Sequence, residues 1–247
     1  MGWREELANM DYGPIMEHHY EQYFVDVKYN GKILNHHEKI RTIQVLDDTV
    51  AQLCPGLLLF RNSINNYRSK TDGFSELYRT VLSLYQFTLV TMLDYLVAAK
   101  YFLIATNDYE KRFMRGKLLV ILNEGFKKLY GFDSSTHNKS EWKKLSLHID
   151  DLPSLFKNQF QDLSTMLECR SRSCNWWKDD RCYEIHLDVE KLLQSRNEEL
   201  VEGQVMMESM RLFGALYSVN LFLTDIHTCL LQYMSNHVDG SHINNFE

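Results

Sequence analysis

The chain has 247 residues, 45% of them hydrophobic and 24% charged, with a formal net charge of −6. That balance is ordinary for a folded globular protein and excludes global disorder. It also excludes a general nucleic-acid coater, since there is no overall basic field, while leaving room for a local RNA site built from a few basic groups.

A chain this long can bury roughly 70–75% of its unfolded surface, so it needs neither disulfides nor a metal to hold together. Its five cysteines show no repeated spacing and do not form a secreted disulfide framework. The opening residues lack an apolar h-region, and Glu6 stands where a myristoylation pattern needs Ser or Thr. The most hydrophobic window, 85–105, carries Gln86, Asp94 and Lys100, which predicts a buried core helix and no membrane span. These features predict a reducing, cytoplasmic setting.

Only three prolines and eleven glycines interrupt the chain, which favours long helices. Residues 1–34 read as an N-terminal extension. There, Asn30-Gly31 has the composition of a two-residue turn and predicts a small hairpin, while His18-His19-Tyr20 fits a short helix equally well. A helical bundle is expected over 35–236. Asn35 is a reasonable N-cap for a helix with Ile40, Ile43, Leu46 and Val50 on one stripe. Pro55 is expected to end or kink that helix, with a second helical piece continuing to about Tyr67.

Thr71 or Asp72 caps a helix predicted from about Phe74 to Thr106, apolar on more than one face and therefore central. Asn107-Asp108 breaks it and caps the next helix, Tyr109 to about Tyr130, with Gly131 at its C′ position. So short a connection makes the two antiparallel neighbours. A turn-rich stretch, 132–138, precedes a short helix over 141–148. Asp151 with Pro153 starts a helix to about Cys169, and 170–175 reads as loop. A terminal helix capped at Ser195 or Asn197 is expected to run to about Asn236, with 237–247 a frayed tail. The fold class is thus an all-α, up-and-down antiparallel bundle in one domain.

Chemistry concentrates in 176–188, WWKDDRCYEIHLD, where four residues separate Arg181 from His186. A neutral imidazole can take the proton from a ribose 2′-hydroxyl, and a planar, permanently charged guanidinium can hold the adjacent phosphate. On a straight helix, five positions leave the two side chains about 140° apart. They would converge only if the helix bends or if two chains contribute. The plain alternative is an exposed arginine and a half-buried histidine.

The segment WWKDDRCYEIHLDVEKLL, followed by RNEELVEGQVMMESMRLFGALYSVNLFLTDI, resembles the closing half of HEPN-domain proteins. Those are helical bundles with an Arg, four to six residues and then a His near the start of a helix, followed by one long helix. The resemblance implies a homodimer whose Arg–His pairs face each other across a cleft. It also implies a metal-independent endoribonuclease, with Arg181 binding phosphate, His186 as the acid–base group and no cofactor. Other family members keep the fold without activity, so a module that binds a regulatory partner protein or nucleic acid is the alternative.

Cys169, Cys174, Cys182 and His186 form a further set that zinc accepts, although their spacing is not that of a compact knuckle, and buried free cysteines are common. A zinc-bound His186 could not act as a base. His18-His19 and His36-His37 read as exposed or capping residues, since no Glu-x-x-His occurs. Asp94 and Lys100 read as a structural pair or a snorkelling lysine. Trp176-Trp177 could stack on bases, or pin a loop onto the bundle.

Overall fold

The computed structural model describes residues 2–10, 36–67, 70–174 and 202–238. Among them the secondary structure is helical throughout, with no strand: an all-α bundle.

Helix α3, Gly73–Ile104, is the axis. Asp72 caps it, its carboxylate accepting from the Ser75 N–H at 2.9 Å. Apolar residues recur on nearly every face, from Leu77, Val81 and Leu84 to Leu96, Ala99 and Phe102, all buried. Four helices therefore pack around α3 and satisfy its several apolar faces. These are α2, His36–Tyr67; α4, Asp108–Leu129; α6, Glu141–Ser146; and α8, Glu202–Val238. Residues 37–67 and 73–104 are each long and apolar enough to cross a membrane by length and composition, and the second forms this buried core.

Antiparallel order follows from the paired residues. Along α2, Asp47 meets Lys100 at 2.6 Å, Phe60 meets Tyr85 with ring centroids 4.3 Å apart, and Tyr67 meets Tyr78 at 4.7 Å. On α8, Asn220 accepts from the Thr88 hydroxyl at 2.7 Å, and further on Thr224 meets Tyr85 at 2.7 Å. Helix α4 turns back after three residues. Its start is capped by Asn107, as the sequence suggests, through a 2.9 Å bond from the Glu110 N–H. At the close approach of α3 and α4, a Cβ on Gly125 would lie 3.0 Å from the Thr91 methyl.

Pro55 does not end its helix: α2 runs continuously from His36 to Tyr67 with Pro55 inside it. Packing decides the matter. Leu53 before the proline and Phe60, Ile64 and Tyr67 after it all pack on the core, which keeps both halves in one helix. Yet no described side chain of α2 is fully buried.

Two further departures are local. Within 132–138 the chain forms a one-turn helix, α5, Ser134–His137, through a capping box between Asp133 and Thr136. Helix α7 runs from Ser154 to Cys174, so most of the 170–175 stretch read as loop is helical. Ser171 faces inward there, and its hydroxyl donates to the Gly131 carbonyl. Gly131 itself takes φ +88°, the left-handed C′ geometry expected of it.

The remaining core lies between α6, α7 and α8. Trp142 stacks on Phe160 at 4.6 Å, and its indole N–H donates to Ser164 at 2.8 Å. Phe222 of α8 packs against Trp142, Phe156 and Phe160. Residues 2–10 belong to this body. Helix α1, Trp3–Ala8, buries Leu7 completely, sets Trp3 edge-on to Phe74 at 5.6 Å and pairs Arg4 with Asp151 at 3.2 Å. The hairpin expected near Asn30 and the caps expected at Ser195 or Asn197 lie outside the described residues.

Candidate functional site

Arg181 and His186 lie outside the described residues, as do Trp176, Trp177 and Cys182. Of the sulfur set, Cys169 is exposed on α7 and Cys174 ends that helix. Among the described residues, no three His, Cys, Asp or Glu side chains are grouped to hold a metal ion. Lys100 pairs with Asp47 of α2 rather than with Asp94.

Two described histidines have hydrogen-bonded settings that differ in kind, ten positions apart on α8. His227 is half-buried between helices. Its Nε2 lies 3.1 Å from the Tyr78 hydroxyl, its ring lies nearly parallel to that of Tyr78, and Phe60 meets it edge-on. Burial lowers its pKa and pushes the Tyr78 phenol up to about 12, so both groups are neutral near pH 7. The pair latches α3 to α8 beneath α2.

His237 has the opposite setting. Its Nδ1 lies 2.8 Å from the Tyr233 carbonyl and its Nε2 lies 2.8 Å from Glu6. Both ring nitrogens face acceptors, so both carry protons and the imidazolium is the form the site holds. The bonds to the Tyr233 carbonyl and to Glu6 raise its pKa, and the same contact lowers that of Glu6. An imidazolium held by two acceptors has no lone pair to act as a base. This is a structural clasp.

A cluster not singled out from the sequence sits at the start of α4. Lys111, Arg112, Arg115 and Lys117 alternate with Tyr109 and Phe113, and both aromatics are exposed. Lys117 lies over the Phe113 ring, 5.2 Å from its centroid. Arg112 is half-buried, and its Nη1 is buried without a hydrogen-bond partner among the described residues. The corner beneath is fixed: Glu110 accepts from the Thr106 N–H at 2.9 Å, which lowers the carboxyl pKa. The alternation of aromatic and basic residues across 109–117 was the available signal. No family model, no curated protein and no solved structure matches this chain.

Proposed function

We propose that this chain is an HEPN-like bundle acting on RNA as a homodimer, a metal-independent endoribonuclease with Arg181 and His186 in the shared cleft. The observation that carries the reading is the Arg181–His186 spacing just ahead of the 37-residue helix α8. The antiparallel pair α3 and α4, joined by a tight turn, is in keeping with it. Past the acidic first turn of α4, Arg112 and Lys117 with the exposed Tyr109 and Phe113 offer local groups for RNA on a chain whose overall charge is acidic.

In this mechanism His186 takes the proton from a 2′-hydroxyl and the 2′-oxygen attacks the neighbouring phosphorus. Arg181 holds the phosphoryl oxygens as charge builds on them, and the 5′-oxygen leaves with the proton. The products are a 2′,3′-cyclic phosphate and a 5′-hydroxyl. The test compares wild type, Arg181→Ala and His186→Ala on total RNA in EDTA, with helicity and thermal midpoint checked in parallel. Cleavage confined to the wild type is expected. Full activity in either folded variant would overturn the assignment.

A second reading, a non-catalytic HEPN-like module that binds a partner protein or nucleic acid, has one specific observation in its favour. Cys182 follows Arg181 directly, where active relatives often carry a polar residue, commonly Asn. Absence of cleavage by wild type, together with retained RNA binding, would select it.

A further inference from the structure

Exposed apolar side chains collect where α2 runs beside α3. Along the outward face of α3 stand Val90, Val97, Tyr101 and Ile104, between 39% and 51% exposed, in steps of seven, four and three. That is the spacing of a helix–helix seam, held over about 21 Å of helix. The neighbouring flank of α2 widens it. Asp47 marks that flank by reaching Lys100, which stands next to the seam. Ile40 and Cys54 lie seven positions to either side of Asp47, with Leu58 a turn further on, and all three are exposed. The two helices approach closely at Gly56, where a Cβ would meet Leu89 at 3.3 Å. Their junction is therefore a shallow apolar trough, the shape that takes the apolar face of a third helix.

Charge decides what that third helix carries. Lys100 donates to both carboxylate oxygens of Asp47, so the pair that spans the junction is neutral. Asp94 stands on the rim away from α2, between Val90 and Val97. No hydrogen bond or ion pair to a described residue offsets its partial burial, which raises its pKa. A second copy brings no cation to it, because Lys100 is held by Asp47 and stands about 120° round the helix from Asp94. Anionic lipid is repelled by Asp94 and by Asp108 and Glu110 in the first turn of α4. A cation set beside the apolar stripe of a partner helix meets the carboxylate directly.

We propose that this trough docks an amphipathic helix of a different protein, with a lysine or arginine beside its apolar stripe set against Asp94. None of the residues involved falls in 175–201, so the inference is independent of the ribonuclease reading. It gives the partner-binding reading a surface and a partner chemistry.

The probe is a labelled synthetic helix of about 18 residues with a leucine stripe and one central lysine beside it, paired with a twin carrying glutamate there. Fluorescence anisotropy is read on the full chain up to about 0.1 mM protein. Wild type should bind the lysine helix roughly fivefold more tightly than its twin. Asp94→Asn should erase that preference, and Val97→Lys should abolish binding of both helices. Helicity and thermal midpoint are checked in every variant, and Leu58→Glu, at a residue 67% exposed, replaces Val97→Lys if that chain does not fold. The inference is overturned if wild type binds neither helix or both equally, if the preference survives Asp94→Asn, or if binding survives the trough variant. A wild-type dimer in light scattering, or flotation with phosphatidylserine vesicles, that is lost in the trough variant would assign the face to a second copy or to lipid and overturn it too. RNA cleavage is scored in parallel. A nuclease that ignores both helices removes this inference alone, and a helix-binding chain that leaves RNA intact removes the nuclease alone.

Discussion

Glu6 and His237 stand 231 positions apart in the chain and 2.8 Å apart in space. Their contact joins α1 to the last described turn of α8, and Tyr233 adds a 3.3 Å bond to the same carboxylate oxygen. The sign of its pH dependence follows from the two shifts. The folded pKa of His237 is raised above its ordinary 6.5, so its contribution is full below that value and is lost as pH rises through the folded pKa. That of Glu6 is lowered below 4.5, so its contribution is full above that value and is lost as pH falls through the folded pKa. The clasp therefore acts most strongly between these ordinary values. The thermal midpoints of wild type and His237→Gln should differ most within that window and converge in alkaline buffer. A gap that stays constant with pH would show that the imidazolium is not involved.

Gly131 combines φ +88° with a backbone pressed against the next helix: a Cβ there would lie 2.3 Å from the His137 nitrogen. Gly131→Ala should cost about 3 kcal/mol, from left-handed strain and the displacement of α5. Urea titration would show this as a lower midpoint at an unchanged slope.

Gln159 is 1% exposed, and neither end of its amide has a hydrogen-bond partner among the described residues. Burying such a group without a partner is costly, and an apolar side chain of similar volume removes that cost. Gln159→Met should raise the unfolding free energy by about 1 kcal/mol. A fall of the same size would instead point to an ordered water satisfying the amide.

If the start of α4 binds RNA, Lys111→Ala and Lys117→Ala should each weaken binding in a sequence-independent way. Each should also reduce the slope of log affinity against log salt by about 1. Unchanged slopes in both variants would remove α4 from the contact surface.

The long elements were legible because several local signals agreed. Around α3 the apolar pattern, the Asp72 and Asn107 caps and Gly131 at the end of α4 all pointed the same way. Elsewhere a local rule lost to tertiary packing. Pro55 forbids a backbone hydrogen bond, but the apolar residues on both sides of it pack on one core. The polar run after Cys169 lacked any sign that Ser171 would find a partner in Gly131, forty positions away. Helix α1 is too short for a periodic pattern, although Trp3 and Leu7 at i, i+4 do mark its buried side. The proposed catalytic pair rests on side-chain chemistry and spacing in a stretch outside the described residues, so its reading remains that of the sequence.

Helix α2 is long, and it leans on α3 with no fully buried side chain among those described. Its core contacts are made by partly exposed side chains, so its opening requires less free energy than unfolding the bundle. Amide exchange should accordingly proceed through α2 as a unit well before it reaches α3. The latch at Tyr78 and His227, which Phe60 covers, would be bared whenever α2 lifts. That aromatic surface is then presented only during the fraction of time its cover is off.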